Sequence, residues 1–303
     1  MPPDELIPRR KDELSLGKAK SSEITSRMAN DLLAIKKDEV LDDAVVHFKC
    51  KNLEEALREE LDIRDRPIMR KDLVGTTKIE LNLKQITNLY GLEWMTQLED
   101  LDLFMNQVSD ISPLEGMTKL KSLGLSNIKI SDISALKNLI LLEVLILDNN
   151  QIEDIHALED MTQLFLISLT ENQISDISAL ERLTLLKHLE LNTNQISDIS
   201  SLKSMHFLEY LGLEYNLISD ISPLQDMNQL SFLDLTENQI SDISALKCMK
   251  QMKYLTLTCN EISDISTLFD LNNLKELSIG ENPISNSQIE ELKEALPNCE
   301  IKF

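Results

Sequence analysis

Eight aspartates recur at a fixed interval of 22 residues: Asp110, Asp132, Asp154, Asp176, Asp198, Asp220, Asp242 and Asp264. A file of carboxylates this regular is the first candidate for chemistry, because stacked oxygens are what a hard cation needs. Calcium, however, takes six to eight oxygens per ion, and the β-rolls that bind it supply tight glycine turns. The chain has 7 glycines in 303 residues, so no metal is expected. Each aspartate instead stands just before a short apolar run, where a carboxylate can accept the orphan N–H groups of a helical turn. Repulsion between rungs ~5 Å apart is about 0.8 kcal/mol in water, comparable with one cap and weakened by salt. Other reactive types are scattered. His47, His156, His188 and His206 occupy unrelated positions with no patterned Ser, Cys or acid partner. No Walker sequence, nucleophile elbow or metalloprotease helix occurs. Cys50, Cys248, Cys259 and Cys299 have no metal or disulfide spacing, which suits a reducing compartment. Neither an enzyme nor a cofactor is read here.

The aspartates belong to a longer phrase that sets the architecture. It reads LEDLDLFMNQVSDISPLEGMTK from Leu98, LFLISLTENQISDISALERLTL from Leu164 and LSFLDLTENQISDISALKCMKQ from Leu230. Eight regular turns follow one another without insertion, with a weaker copy before them from Thr76 and a modified one after them from Leu274. A repeat of this kind stacks into one solenoid rather than the two domains that the length suggests. In the turn from Leu164, the alternation Ile167–Ser168–Leu169 has the period of a short strand, so neighbouring turns build a parallel sheet. Asn172 marks the bend, and Asn106, Asn150, Asn194, Asn216, Asn238, Asn260 and Asn282 are its equivalents. A buried amide both donates and accepts, so a file of them satisfies the backbone groups that the bend strips from the sheet. Isoleucine stands at position 128, which predicts one missing rung. Ile177, Leu180 and Leu183 are spaced by three, as in a 3₁₀ segment on the outer side. Met95, Met117, Met161, Met205, Met227 and Met249 share a repeat position with leucines and are read as core fillers.

Positions that the repeat leaves free carry the functional signal. The residue before the second core position of each strand points to the inner face of the sheet. From Val144 the series runs Val144, Leu166, His188, Tyr210, Phe232 and Tyr254, with Ile146, Phe104 and Tyr215 assigned to the same side. An apolar and aromatic stripe of this extent reads as an interaction surface rather than as packing against the next turn. Glu171, Glu190, Glu214, Asp234 and Glu237 stand around it, which suits a partner with basic residues flanking an apolar ridge.

Capping structure is expected at both ends, since a terminal turn otherwise exposes its core face. Residues 45–75 read as a helical cap opened by a capping box at Asn52-Leu-Glu-Glu55, and residues 76–303 as the repeat array. A second box at Ser287-Gln-Ile-Glu290 opens a closing helix. Residues 1–44 read as a mobile polar leader with one amphipathic helix through Ile24, Met28, Leu32 and Ile35. The net charge of −22 argues against nucleic acid, which needs a basic face. Nearly all of it falls on residues 76–303, which hold 15 basic and 35 acidic groups. No apolar run approaches the ~20 residues of a membrane span.

The phrase L-x-x-L-x-L-x-x-N-x-I-S-D-I-S-x-L resembles the leucine-rich-repeat family, specifically the 22-residue bacterial type found in internalins. The stretch FKCKNLEEALREELDIRDRPIMRKDL is similar to the helical N-terminal cap of those proteins. The resemblance implies a right-handed α/β solenoid with a concave parallel sheet, 3₁₀ turns on the convex side and a protein-binding role. Secreted internalins carry a signal peptide, further domains and a wall anchor. None is read in this sequence, so a cytoplasmic monomer binding a protein or peptide on its concave face is expected. A surface adhesin and a regulatory subunit of an enzyme such as a phosphatase are the alternatives.

Overall fold

A computed structural model describes residues 43–303; the helix expected within the leader lies outside them. Eleven strands of three residues each form one parallel sheet in sequence order. They are β1 Lys78–Glu80, β2 Asp100–Asp102, β3 Ser122–Gly124, β4 Val144–Ile146, β5 Leu166–Ser168, β6 His188–Glu190, β7 Tyr210–Gly212, β8 Phe232–Asp234, β9 Tyr254–Thr256, β10 Glu276–Ser278 and β11 Glu300–Lys302. Register follows the repeat, so Leu145, Ile167, Leu189, Leu211 and Leu233 lie side by side, each fully buried. Outer connections are short 3₁₀ segments such as Ser178–Leu180, as the spacing of three requires. The methionine file is fully buried along the same core.

Each bend is closed by an asparagine. Asn172 Oδ1 accepts from the Ile152 N–H of the preceding turn (3.1 Å), while Nδ2 donates to the carbonyls of Leu147 and Leu169 (both 3.1 Å). Beside the missing rung the next amide takes a second donor: Asn150 Oδ1 accepts from Ile128 (3.3 Å) as well as from Ile130 (3.2 Å). The residue before each amide, from Met105 to Glu281, and Asn127 before Ile128 hold a left-handed φ of 52–60°, and none is glycine. Only asparagine tolerates that region readily, so most of these corners carry strain. The fixed bonds around them hold it: Glu171 N–H, for example, reaches the Asn192 carbonyl at 2.9 Å.

The aspartate file lies on the outer side. Asp176 Oδ1 accepts the Ser178 N–H at 2.8 Å, and Asp110, Asp132, Asp154, Asp198, Asp220, Asp242 and Asp264 do the same two residues ahead. These bonds carry the structural role expected of the file.

Both end helices begin elsewhere than the capping-box spacing predicts. α1 (Lys51–Glu60) starts after Cys50, and the Asn52 amide donates instead to the Gln85 carbonyl of the first turn (2.9 Å). Thr87 N–H and Oγ1 reach Cys50 Sγ at 3.5 and 3.6 Å, so bonds to the array, not a local box, fix this helix end. Leu53, Ala56 and Leu57 cover the first core layer. A short α2 (Arg70–Val74) follows, burying Leu73. α3 (Asn286–Ala295) is capped by Ser285 and Gln288, two residues ahead of the expected box, while Ser287 Oγ donates to Glu291. β11, unexpected from the sequence, pairs with β10 and extends the sheet beyond the last repeat.

Candidate functional site

The parallel register turns the free strand positions into straight files on the concave face. His188, Tyr210 and Phe232 are neighbours across β6, β7 and β8. Their rings stack, at 4.0 Å and 10° between His188 and Tyr210 and at 4.1 Å and 3° between Tyr210 and Phe232. The parallel faces protect one another, and the rings remain half-buried with their outer edges in solvent. Val144, Ile146 and Leu166 continue the apolar surface over β4 and β5, each half-buried. Tyr254 follows on β9 and is exposed. Two residues of the expected stripe stand off this line. Tyr215 occupies a left-handed corner past β7 and is 52% exposed. Phe104 lies past β2, at the rim of a hollow of about 360 Å³ that it shares with Asp100, Gly124 and Asp148 and that meets the stripe at Ile146. A larger hollow of about 440 Å³ lies on the convex side, between Asp132, Lys137, Asp154 and His156, where the aspartates are already engaged in capping.

Carboxylates crowd the ring stack. His188 Nε2 lies 2.6 Å from Glu190 Oε1, and His156 Nδ1 lies 2.7 Å from Asp154 Oδ1. Two histidines therefore do have acid partners, two residues along the chain. For His188 the strand period, which puts i and i+2 on one face, was the available signal. Burial, then the charges of Glu190, Asp234 and Glu214, pushes the Tyr210 hydroxyl up to about 12. Burial, then Asp234 and Glu237, holds Glu214 above the usual carboxylate range. Asp148 is raised chiefly by burial, with Glu190 and Glu171 adding to it, against the bonds from Ser168 Oγ and Thr170 N–H that pull it down. Asp148, absent from the expected surface, occupies the same repeat position as Phe104 and Glu214, which belong to it, so the repeat register was the available signal.

Family comparison agrees with this geometry. The family described as Leucine Rich repeats (2 copies) matches residues 96–138, 118–160, 162–204 and 207–248. Among solved structures, an internalin (InlF) of Listeria monocytogenes is 32% identical with a TM-score of 0.60, the match covering 84% of this chain and 89% of that one. The chain belongs to the internalin-like leucine-rich-repeat family. Internalin C2 of the same species is 28% identical (TM-score 0.62), covering 77% of this internalin-like chain and 94% of its own. The functional domain of InlJ, at 19% identity, shares the fold (TM-score 0.66), with 80% and 59% covered. Comparison with curated protein sequences finds no match. Internalin-like repeat proteins are generally non-enzymatic modules for protein interaction. Among the described residues no helix is long and apolar enough to cross a membrane.

The two sets of acids in this internalin-like array give opposite pH dependences. Backbone N–H donors, with the hydroxyls or imidazole beside them, hold Asp132, Asp154, Asp176, Asp198, Asp220 and Asp264 below the ordinary aspartate value. Their contribution is present above that value and is lost as pH falls through the lowered one. Asp148 and Glu214 are raised, so protonation favours the folded form and stability increases as pH falls through their folded values. The melting temperature is therefore expected to rise as pH falls through the raised folded-state values of Asp148 and Glu214, and to fall again once pH drops below the ordinary aspartate range. Glu214→Gln removes part of the rise, and a monotonic decline in the parent protein counts against the assignment.

Proposed function

We propose that the protein is a non-catalytic scaffold whose concave face binds a protein or peptide segment carrying basic residues beside an apolar ridge. The observation that carries this reading is the half-exposed ring stack of His188, Tyr210 and Phe232 among Glu190, Glu214 and Asp234. Carboxylates that raise one another's proton affinity cost the free protein stability, and an incoming Arg or Lys relieves that cost. The ring edges offer apolar area, and their faces are already fixed against rotation, so little side-chain entropy is lost on binding. Phe104, Val144, Ile146, Leu166, Tyr215 and Tyr254 extend the surface on either side of the stack. Four unpaired thiols support placement in a reducing compartment such as the cytoplasm.

Selection from a displayed random-peptide library tests the reading directly. Enrichment of sequences with Arg or Lys flanking Leu, Phe or Trp is expected, with affinity falling steeply in salt. Selected peptides that are acidic, or that bind equally well when Glu190 and Asp234 are replaced by Gln and Asn, contradict it.

A further inference from the structure

A second set of exposed apolar residues lies on the flank where the chain enters each strand. Leu141, Phe165, Leu185 and Phe207 are all between 40% and 50% exposed there. The repeat does not require them: equivalent positions elsewhere hold Lys119, Lys121, Gln229 and Lys253.

Backbone bonds make this flank straight. Lys121 N–H donates to the Glu99 carbonyl, Glu143 to Lys121, Phe165 to Glu143, Lys187 to Phe165 and Glu209 to Lys187, all at 2.8–3.0 Å. The side chains Lys121, Glu143, Phe165, Lys187 and Glu209 therefore form one file, with rungs ~4.8 Å apart and a length of ~20 Å. Its order is Lys, Glu, Phe, Lys, Glu. Reversed about Phe165, every charge meets its opposite. The neighbouring file reads Lys119, Leu141, Gln163, Leu185 and Phe207; its inner three are symmetric about Gln163, which belongs to the same turn as Phe165, and reversal brings its outer two, a cation and a ring, together. Two files thus share one centre, the first antisymmetric in charge and the second symmetric in apolar character over its inner three residues. A two-fold axis demands this of a self-complementary surface, and binding to an unrelated partner does not.

We infer that this flank is a contact between two copies of the chain, packed side by side and antiparallel about a two-fold axis at Phe165. Phe165 then meets Phe165 of the second copy, Leu141 meets Leu185, Glu143 meets Lys187 and Lys121 meets Glu209. Within one copy Lys187 already pairs with Glu209 at 3.2 Å and Lys121 with Glu99 at 2.7 Å, so the cross-copy charges extend existing pairs into alternating networks. Exposed pairs contribute little singly and more in networks. The apolar centre is small, so the dimer is weak, and it leaves both concave faces free. This revises the monomer expected from sequence.

Sedimentation velocity on the full chain over a roughly hundredfold range of concentration tests the inference. A concentration-dependent dimer is expected that weakens with salt. Phe165→Glu places two carboxylates on the axis and leaves a monomer at every concentration. Glu143→Lys or Lys187→Glu alone opposes like charges twice per dimer and weakens it about tenfold or more. The double variant restores both pairs in reversed sense and returns to within about threefold of the parent. Circular dichroism on each variant confirms that the fold is kept. A parent chain that is monomeric throughout, a dimer indifferent to Phe165→Glu, or a double variant that does not recover overturns the inference.

Discussion

Asn150→Ala is expected to be the most damaging single substitution in the array, destabilising it by about 3–5 kcal/mol. Its amide accepts from Ile128 and Ile130 and donates to the carbonyls of Leu125 and Leu147, both at 2.9 Å. Alanine leaves the Ile128 and Ile130 N–H groups and the Leu125 carbonyl without partners, while Leu147 keeps its bond from Asn172, and each orphaned group costs about 1–3 kcal/mol. Asn172→Ala removes an amide that accepts one N–H rather than two, so its cost is expected to be smaller, about 2–4 kcal/mol. Urea unfolding of the two variants beside the parent measures the ranking. Because turns touch only their neighbours, the loss is read most cleanly by hydrogen exchange in the flanking turns as well. Equal costs, or a loss below about 1 kcal/mol for Asn150→Ala, mean that the amides are spectators of a bend held by packing alone.

The second large effect concerns binding. Tyr210→Ala combined with Phe232→Ala is expected to weaken the selected basic peptides at least about a hundredfold, since aromatic anchors at an interface centre are commonly worth 2 kcal/mol or more each. Stability is expected to fall by only about 1–3 kcal/mol, the worth of two ring–ring contacts. Leu189, Leu211 and Leu233, which carry the core beneath, are untouched and fully buried. Calorimetry gives the affinity and thermal unfolding the stability. Cooperative loss of folding instead marks the stack as core, and unchanged affinity moves the binding surface elsewhere.

The 22-residue period reveals the solenoid, its strand register and its 3₁₀ segments because a repeat that buries one face by stacking constrains every turn alike. The asparagine and aspartate roles are legible for the same reason. What the period cannot show is whatever departs from it. Asn150 takes the Ile128 N–H as a second donor, which no residue type announces. The left-handed corners are hidden because Glu171, Thr193, Tyr215 and Glu237 are not residues that signal positive φ. β11 is formed by Glu300–Lys302 after a helix, outside the repeated phrase. At the candidate site, strand alternation picks out His188, Tyr210 and Phe232. Their mutual stacking needs coordinates, as does the separation of Phe104 and Tyr215 from them. The flank stays hidden in the sequence because one apolar residue per turn carries no message until neighbouring turns are brought into file.

The direction of the amide bonds bears on how the chain is made. Every ladder asparagine completes the turn before its own, as Asn172 does for Ile152 and Asn194 for Ile174. During synthesis from the N-terminus, a turn that has just left the ribosome therefore remains unfinished until the next 22 residues arrive with its missing amide. Growth resembles laying courses of brick, each locked by the one above. The terminal α3 and β11 end the wait, supplying the last repeat with a neighbour that needs none of its own.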